Sequence, residues 1–160
     1  MVIVGVMMDI KEKFIDDQKL AVINYKGPLS DLDLLLAKLM GWIESEDIKT
    51  EGSPFIIYYS PRASANVGDA VYDVGIPITE DVDGNDLIKI VDLFEHKVLS
   101  GIHKGSLDNI LDSYEKMVDF SQKNSYDIIG SPKEVLIKNK FNIEEGEDYL
   151  TEIQLPVIKM

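Results

Sequence analysis

The sequence predicts an α+β domain: a tandem strand-helix-strand-strand repeat forming one antiparallel sheet with two helices and a pseudo-two-fold cleft between the copies. Three observations carry this. The chain repeats itself: Lys26-Gly27, a helical run through Trp42 and Gly52-Ser53-Pro54 return as Lys104-Gly105, a helical run through Phe120 and Gly130-Ser131-Pro132, at an offset of 78 residues (Lys26 to Lys104). One residue further out of phase, Tyr72-Asp73-Val74-Gly75-Ile76-Pro77 returns as Thr151-Glu152-Ile153-Gln154-Leu155-Pro156. Each copy also carries an apolar stripe at helical spacing, and short β-rich runs bounded by Gly and Pro turns.

In chain order, residues around 2–9 and 18–25 read as a strand pair or one bent strand. Gly27-Pro28 ends that run, and Ser30 with Asp33 three residues on predicts a helix N-terminus. Leu32, Leu35, Leu36, Leu39 and Ile43 carry the helix to about Glu46. Phe55–Tyr59 is a strand, Pro61–Asp69 a loop, and Val71–Ile78 a further strand. The acidic stretch Thr79–Asn85 links the halves. Its Asp81, Asp83, Gly84 and Asn85 suggest a calcium loop, but the glycine comes one step too early and no glutamate stands at the twelfth position. It therefore reads as a solvated linker. In the second half, Ile88–Phe94 and Lys97–His103 are strands, and Ser106 caps a helix bearing Ile110, Leu111, Tyr114, Met117 and Val118. Glu134–Ile137 is a strand, Asn142–Asp148 an acidic loop, and Leu150–Val157 closes a single domain spanning 1–160, with halves of about 1–79 and 86–160.

The chain has 160 residues, 45% of them hydrophobic, which is enough for one real core. The apolar start meets Asp9 without a basic segment before it and reads as a strand rather than a signal peptide. No apolar run approaches the ~20 residues that span a bilayer, so neither a membrane nor an export route is expected and the expected location is cytoplasmic. With no cysteine there is no disulfide or thiolate metal site. A net charge of −13 argues against direct nucleic-acid binding, and suits cationic small molecules or a basic protein surface. Two histidines without ligand spacing make no zinc site. Gly101 and Gly105 lack the setting of a phosphate loop, and Ser100 and Ser106 beside His103 lack that of a nucleophile elbow. No catalytic residue, metal or cofactor is expected.

The candidate ligand-binding residues are Glu152, Asp73, Tyr25, Trp42, Tyr58 and Tyr114. Glu152 alternates with Ile153 and Leu155 and so faces away from them; Asp73 is its repeat equivalent. Buried among apolar groups, such a carboxylate would have a raised pKa that a cationic ligand would lower again. Two carboxylates near a two-fold axis could also hold a dication together. Tyr58 points opposite to Ile57. Trp42 and Phe120 are equivalent, as are Tyr25 and His103, the histidine reading as a satisfied strand-end residue. Tyr114 replaces Leu36 on the apolar stripe and brings a hydroxyl with it.

His103-Lys104-Gly105-Ser106, the helix with Tyr114, the Gly130-Ser131-Pro132 turn, Glu134-Val135 and the closing Leu150–Val157 together resemble the GyrI-like (gyrase-inhibitor-like) domain, the effector-binding half of multidrug-sensing transcription activators. The resemblance implies a module binding bulky, aromatic and cationic compounds in a cleft between the halves, with a last-strand glutamate, Glu152 here, as counter-ion amid aromatic side chains. It also implies two alternatives: a hydrolase of reactive electrophiles using Glu152 and a tyrosine, or an inhibitor acting by contact with a topoisomerase-like protein partner. No winged-helix or helix-turn-helix segment accompanies the domain, so any control of transcription would pass through a partner.

Overall fold

A computed structural model describes residues 8–160. Its elements are β1 (Ile10–Ile15), β2 (Gln18–Pro28), α1 (Leu32–Ser45), β3 (Phe55–Tyr58), β4 (Asp69–Ile78), β5 (Lys89–Leu93), β6 (His96–Lys104), α2 (Ile110–Lys123), β7 (Tyr126–Ile128), β8 (Lys133–Lys138) and β9 (Leu150–Lys159). Three short 3-10 turns, Leu29–Asp31, Arg62–Ser64 and Leu107–Asn109, join them. The 78-residue offset holds for whole elements: Leu29–Asp31 leads into α1 as Leu107–Asn109 leads into α2, and both helices have 14 residues.

The strand order is β1-β6-β9-β8-β3-β4-β2-β5, with β7 attached to β9. Read from either end, this order alternates the same repeat equivalents, so the sheet is pseudo-symmetric about the β3–β8 seam. The edge strands are exchanged. β1 precedes β2 in sequence yet pairs with β6, Ile15 opposite His96; β5 precedes β6 yet pairs with β2, Leu93 opposite Gln18. Each half is thus closed by a strand from the other. At the seam, Ile56 lies opposite Glu134, which is its own repeat equivalent. These two residues therefore mark the pseudo-axis.

Both helices lie on one face of the sheet. Leu35, Leu36, Leu39 and Ile43 of α1 pack on Ile23, Ile56, Tyr58, Tyr72, Val74 and Ile76, and Ile110 and Met117 of α2 pack on Leu99, Ile153 and Leu155. Each buried aliphatic side chain contributes roughly 1.5–3 kcal/mol. The opposite face carries a smaller cluster of Leu20, Val22 and Phe55, with Ile57, Leu93 and Val135 beside it.

Several details differ from the sequence reading. Of the strand expected around 2–9, residues 1–7 lie outside the described residues, and β1 begins at Ile10. Its Lys-Glu-Lys alternation hid it, because an edge strand held by backbone pairing needs little apolar surface and gains from charge. The three-residue β7 was too short to leave a pattern. Ser30 does not cap α1; it sits inside the 3-10 turn, and Asp31 precedes the helix without a side-chain cap bond. Ser106, the repeat equivalent of Pro28, accepts a hydrogen bond from the Asp108 amide and so caps the 3-10 turn rather than α2, which follows Asn109 without a side-chain cap bond. In the acidic linker, Asn85 accepts from the amides of Leu87 and Ile88, a local turn.

The helix-free face is tight at one point. A Cβ on Gly75 would lie 2.6 Å from the Phe55 ring, 2.8 Å from Val22 and 3.0 Å from the Ala21 carbonyl. Gly75→Ala is expected to destabilise the fold by about 1–3 kcal/mol through overpacking, measured by urea denaturation. An unchanged midpoint would contradict this packing.

Candidate functional site

On the helix face, three elements converge on Glu134 at the pseudo-axis. Its carboxylate is fully buried. Oε2 accepts from Arg62 Nε at 2.7 Å and from the Tyr114 hydroxyl at 2.6 Å. The Arg62 guanidinium also lies over the Tyr58 ring, 4.6 Å from its centroid. Tyr58 and Tyr72 are tilted neighbours at 6.2 Å, and Tyr72 meets Tyr25 edge-on at 5.7 Å. Tyr25 in turn donates to Asp31 in the turn before α1. The result is a carboxylate and a guanidinium enclosed by aromatic rings.

Each position has a local cause. Tyr58 ends β3, where its amide pairs with the Pro132 carbonyl across the seam. Tyr114 lies one turn into α2, on the side that meets the sheet. Arg62 is carried by a turn closed by bonds from Ser64 to Pro61 and from Ala65 to Arg62, and Ala65 anchors that turn in the core.

Burial pushes the Tyr58 and Tyr114 hydroxyls well above the ordinary phenol range, and Glu134 adds to this, so both stay neutral. Burial also works against the charge on Arg62, but Glu134 outweighs it and the guanidinium remains protonated. Two buried polar atoms in this cage lack a well-formed hydrogen bond, Glu134 Oε1 and the Tyr58 hydroxyl, although the hydroxyl lies near enough to the Glu134 carboxylate to donate weakly to it. Leaving such atoms unpaired costs about 1–3 kcal/mol each. Both are closed off from solvent, with Arg62 beside them.

A cleft opens above the cage between the N-terminal ends of the two helices. One hollow of about 300 Å³ has Arg62 in its wall with Leu29, Leu32, Asn66, Leu107 and Asp108. A second, of about 180 Å³, shares Leu32, Asp33 and Leu107 and is floored by Leu36, Leu136 and Thr151. Residues from both halves line each hollow, as the repeat predicted.

Glu152 lies on the other face of the sheet. The alternation with Ile153 and Leu155 was read correctly, but those residues face the helices, so Glu152 faces away from the aromatic groups. Its Oε2 accepts from Lys13 Nζ at 3.0 Å and Ser100 Oγ at 2.6 Å, and its Oε1 from Gln154 Nε2 at 3.0 Å. Burial tends to raise its pKa, yet the bonds from Ser100, Lys13 and Gln154 outweigh burial and hold it below the usual carboxylate value. A raised pKa would need an apolar setting, and the neighbours of Glu152 are polar.

Asp73 shares that face. It is half-buried and accepts from Asn24 at 2.8 Å and from the Tyr59 hydroxyl at 2.6 Å. β4 and β9 are separated by β3 and β8, so Asp73 and Glu152 stand roughly 14 Å apart at ordinary strand spacing. A compact dication cannot bridge them.

Tyr58, Tyr114 and, through Tyr72, Tyr25 thus gather on the helix face. Trp42 packs against the first-half core, and no aromatic or polar contact among the described residues joins it to the cage. His103 is satisfied by Ser113 at 2.7 Å and the Ser106 carbonyl at 2.8 Å. Neither Arg62 nor Glu134 is among the candidate binding residues named from sequence, although Glu134-Val135 is part of the family resemblance. A signal existed: Glu134 replaces the core residue Ile56 of the other repeat, as Tyr114 replaces Leu36 and Tyr58 replaces Leu136.

The architecture and the ligand-sized cleft meet a direct comparison. A model of the GyrI-like small molecule binding domain matches residues 8–158. The chain belongs to the GyrI-like family. Among solved structures, this GyrI-like domain is similar to the EcmrR C-terminal domain, with a TM-score of 0.84 at 19% identity, covering 97% of this chain and 100% of that one. It spans 58% of the longer EcmrR chain in its complex with DNA, at 18% identity and a TM-score of 0.84. It also resembles a hydrolase encoded by lin2189 from Listeria innocua, with a TM-score of 0.66 at 10% identity over 93% of this chain and 91% of the other. SAV2435 bound to tetraphenylphosphonium aligns with a TM-score of 0.59 at 12% identity, covering 94% of each chain. At these identities the likeness is one of fold. No match was found among curated protein sequences. No helix among the described residues is long and apolar enough to cross a membrane.

The helix-free face of this GyrI-like domain holds one more unusual group. Lys133 is buried, with Nζ 4.5 Å from the Phe55 ring centroid, beside a hollow of about 340 Å³ that Glu152 and Gln154 also line. Burial lowers its pKa to about 8 despite the opposing pull of Glu152. The unfolded chain then holds this proton more tightly than the folded one between pH 8 and the ordinary lysine value, so stability rises with pH across that window. Lys133→Met is expected to stabilise the domain at pH 7 by about 1–3 kcal/mol and to flatten that rise, measured by denaturation from pH 7 to 10.5. A rise of equal size in the variant would assign it to another group.

Proposed function

We propose that this domain binds amphipathic aromatic small molecules, cationic ones foremost, in the helix-face cleft, and that Glu134 is the counter-ion. The observation that carries this is the pair of buried atoms without a well-formed hydrogen bond, Glu134 Oε1 and the Tyr58 hydroxyl, inside an aromatic cage. A ligand with an N–H donor would satisfy Oε1, a permanent cation would be attracted by the carboxylate's charge, and the ligand's rings would stack against Tyr58 and Tyr114. Glu152 suits the role less well, because both its oxygens already accept hydrogen bonds, from Lys13 and Ser100 at Oε2 and from Gln154 at Oε1. The binding of tetraphenylphosphonium by a protein of this fold supports the ligand class. The net charge of −13 favours the approach of cations.

The Tyr114–Glu134 pair favours one second reading. A carboxylate with one free oxygen and a neutral phenol beside it could direct water onto a strained electrophile and protonate the leaving oxygen. This is the hydrolase alternative, transferred from Glu152 to Glu134.

Titration calorimetry with tetraphenylphosphonium separates the two glutamates. Glu134→Gln is expected to weaken binding about tenfold or more, since a desolvated charge pair is lost, whereas Glu152→Gln leaves it within about twofold. Loss in Glu152→Gln alone would move the site to the other face. Tyr114→Phe that binds normally but no longer turns over an epoxide substrate would favour the hydrolase.

A further inference from the structure

The cage is already occupied by a cation, and that cation belongs to the chain. Arg62 is the only arginine in the sequence. Its guanidinium makes the contacts that a cationic aromatic ligand would make: a short charged hydrogen bond to Glu134 and a position over the Tyr58 ring. It is held by a three-residue turn on the loop between β3 and β4, not by a strand or helix. That loop is otherwise exposed, except for the anchor Ala65, and Gly68 within it has a left-handed φ of +108°. Arg62 also stands in the wall of the open hollow between the helix N-terminal ends. It thus connects that hollow to the buried carboxylate it pairs with.

We infer that Arg62 is a tethered occupant of the cation subsite and the specificity determinant of the cleft. This rests on Glu134 being the counter-ion. While Arg62 is seated, the charge of Glu134 is neutralised, and what remains unpaired is one acceptor oxygen and one phenol hydroxyl. The seated state thus suits neutral amphipathic molecules bearing an N–H donor for Oε1. A permanent cation without N–H donors offers nothing to Oε1 that competes with the guanidinium bond, and binds only by displacing Arg62 from Oε2 and from the Tyr58 face. An occupant that fills the subsite nine-tenths of the time lowers the apparent affinity for its competitor about tenfold.

The test compares the wild type with Arg62→Ala and Arg62→Lys by calorimetry with tetraphenylphosphonium, and by thermal shift with methylguanidinium chloride. Lysine keeps the charge but loses the fork and the planar stacking; it guards against a failure of the alanine variant to fold. Affinity for tetraphenylphosphonium is expected to rise in the order wild type, Arg62→Lys, Arg62→Ala, spanning about tenfold. Methylguanidinium is expected to stabilise Arg62→Ala but not the wild type, and the gain is expected to vanish in Arg62→Ala/Glu134→Gln. Equal or weaker phosphonium binding in both variants, with Glu134 still required, would overturn the inference and leave the binding function intact. Methylguanidinium rescue without phosphonium binding in any variant would uphold the tethered cation and refute the aromatic-cation function. Absence of both would overturn the two together.

Discussion

One buried carboxylate at the junction of two repeats sets the terms for the helix side of this molecule. Glu134 stands where symmetry would place an isoleucine, opposite that isoleucine, in the middle of the core. An isolated carboxylate there would cost several kcal/mol, so its surroundings must supply a cation and donors. Arg62 and Tyr114 come from different halves of the chain to do so, one on a short loop turn and one on a helix. Tyr58 supplies the ring under the cation. The breakdown of the repeat at these positions is what converts a structural seam into a chemical site.

The two faces of the sheet divide the polar chemistry between them. On the helix face the polar groups are few, deeply buried and incompletely satisfied. On the other face Glu152, Gln154, Ser100 and Lys13 form a closed network, and Asp73 is held by Asn24 and Tyr59. A saturated network resists change and holds strands in register; an unsaturated one invites a ligand. Lys133 is the exception on the second face, a buried amine resting on Phe55 and attracted by the charge of Glu152.

Much of the fold was legible because duplication doubles the signal. Most strands and both helices were read twice, and the offset that linked Lys26 to Lys104 also linked whole elements. What escaped was whatever lacks an apolar signature: β1, with its charged alternation on an exchanged edge, and β7, three residues long. The site was half legible. Parity placed Glu152 and Ile153 on opposite faces correctly, but parity cannot say which face the helices cover. That single unknown moved Glu152 and Asp73 away from the tyrosines. Glu134 entered the sequence reading as part of a strand and of the family resemblance, not as a site residue. Comparing the repeats at core positions would have exposed it, since Ile56 against Glu134, Leu36 against Tyr114 and Tyr58 against Leu136 are the mismatches that meet in space. A loop arginine leaves no comparable trace, because its position depends on how the β3–β4 connection folds back over the sheet.

The most direct test of this account is a crystal structure of the domain with tetraphenylarsonium, whose arsenic is located by its anomalous scattering. The account predicts the arsenic in the cleft between the helix N-termini, its phenyl rings against Tyr58 and Tyr114, and the Arg62 guanidinium withdrawn from Glu134. An arsenic on the helix-free face beside Glu152 and Lys133, with the Arg62–Glu134 pair undisturbed, would contradict it.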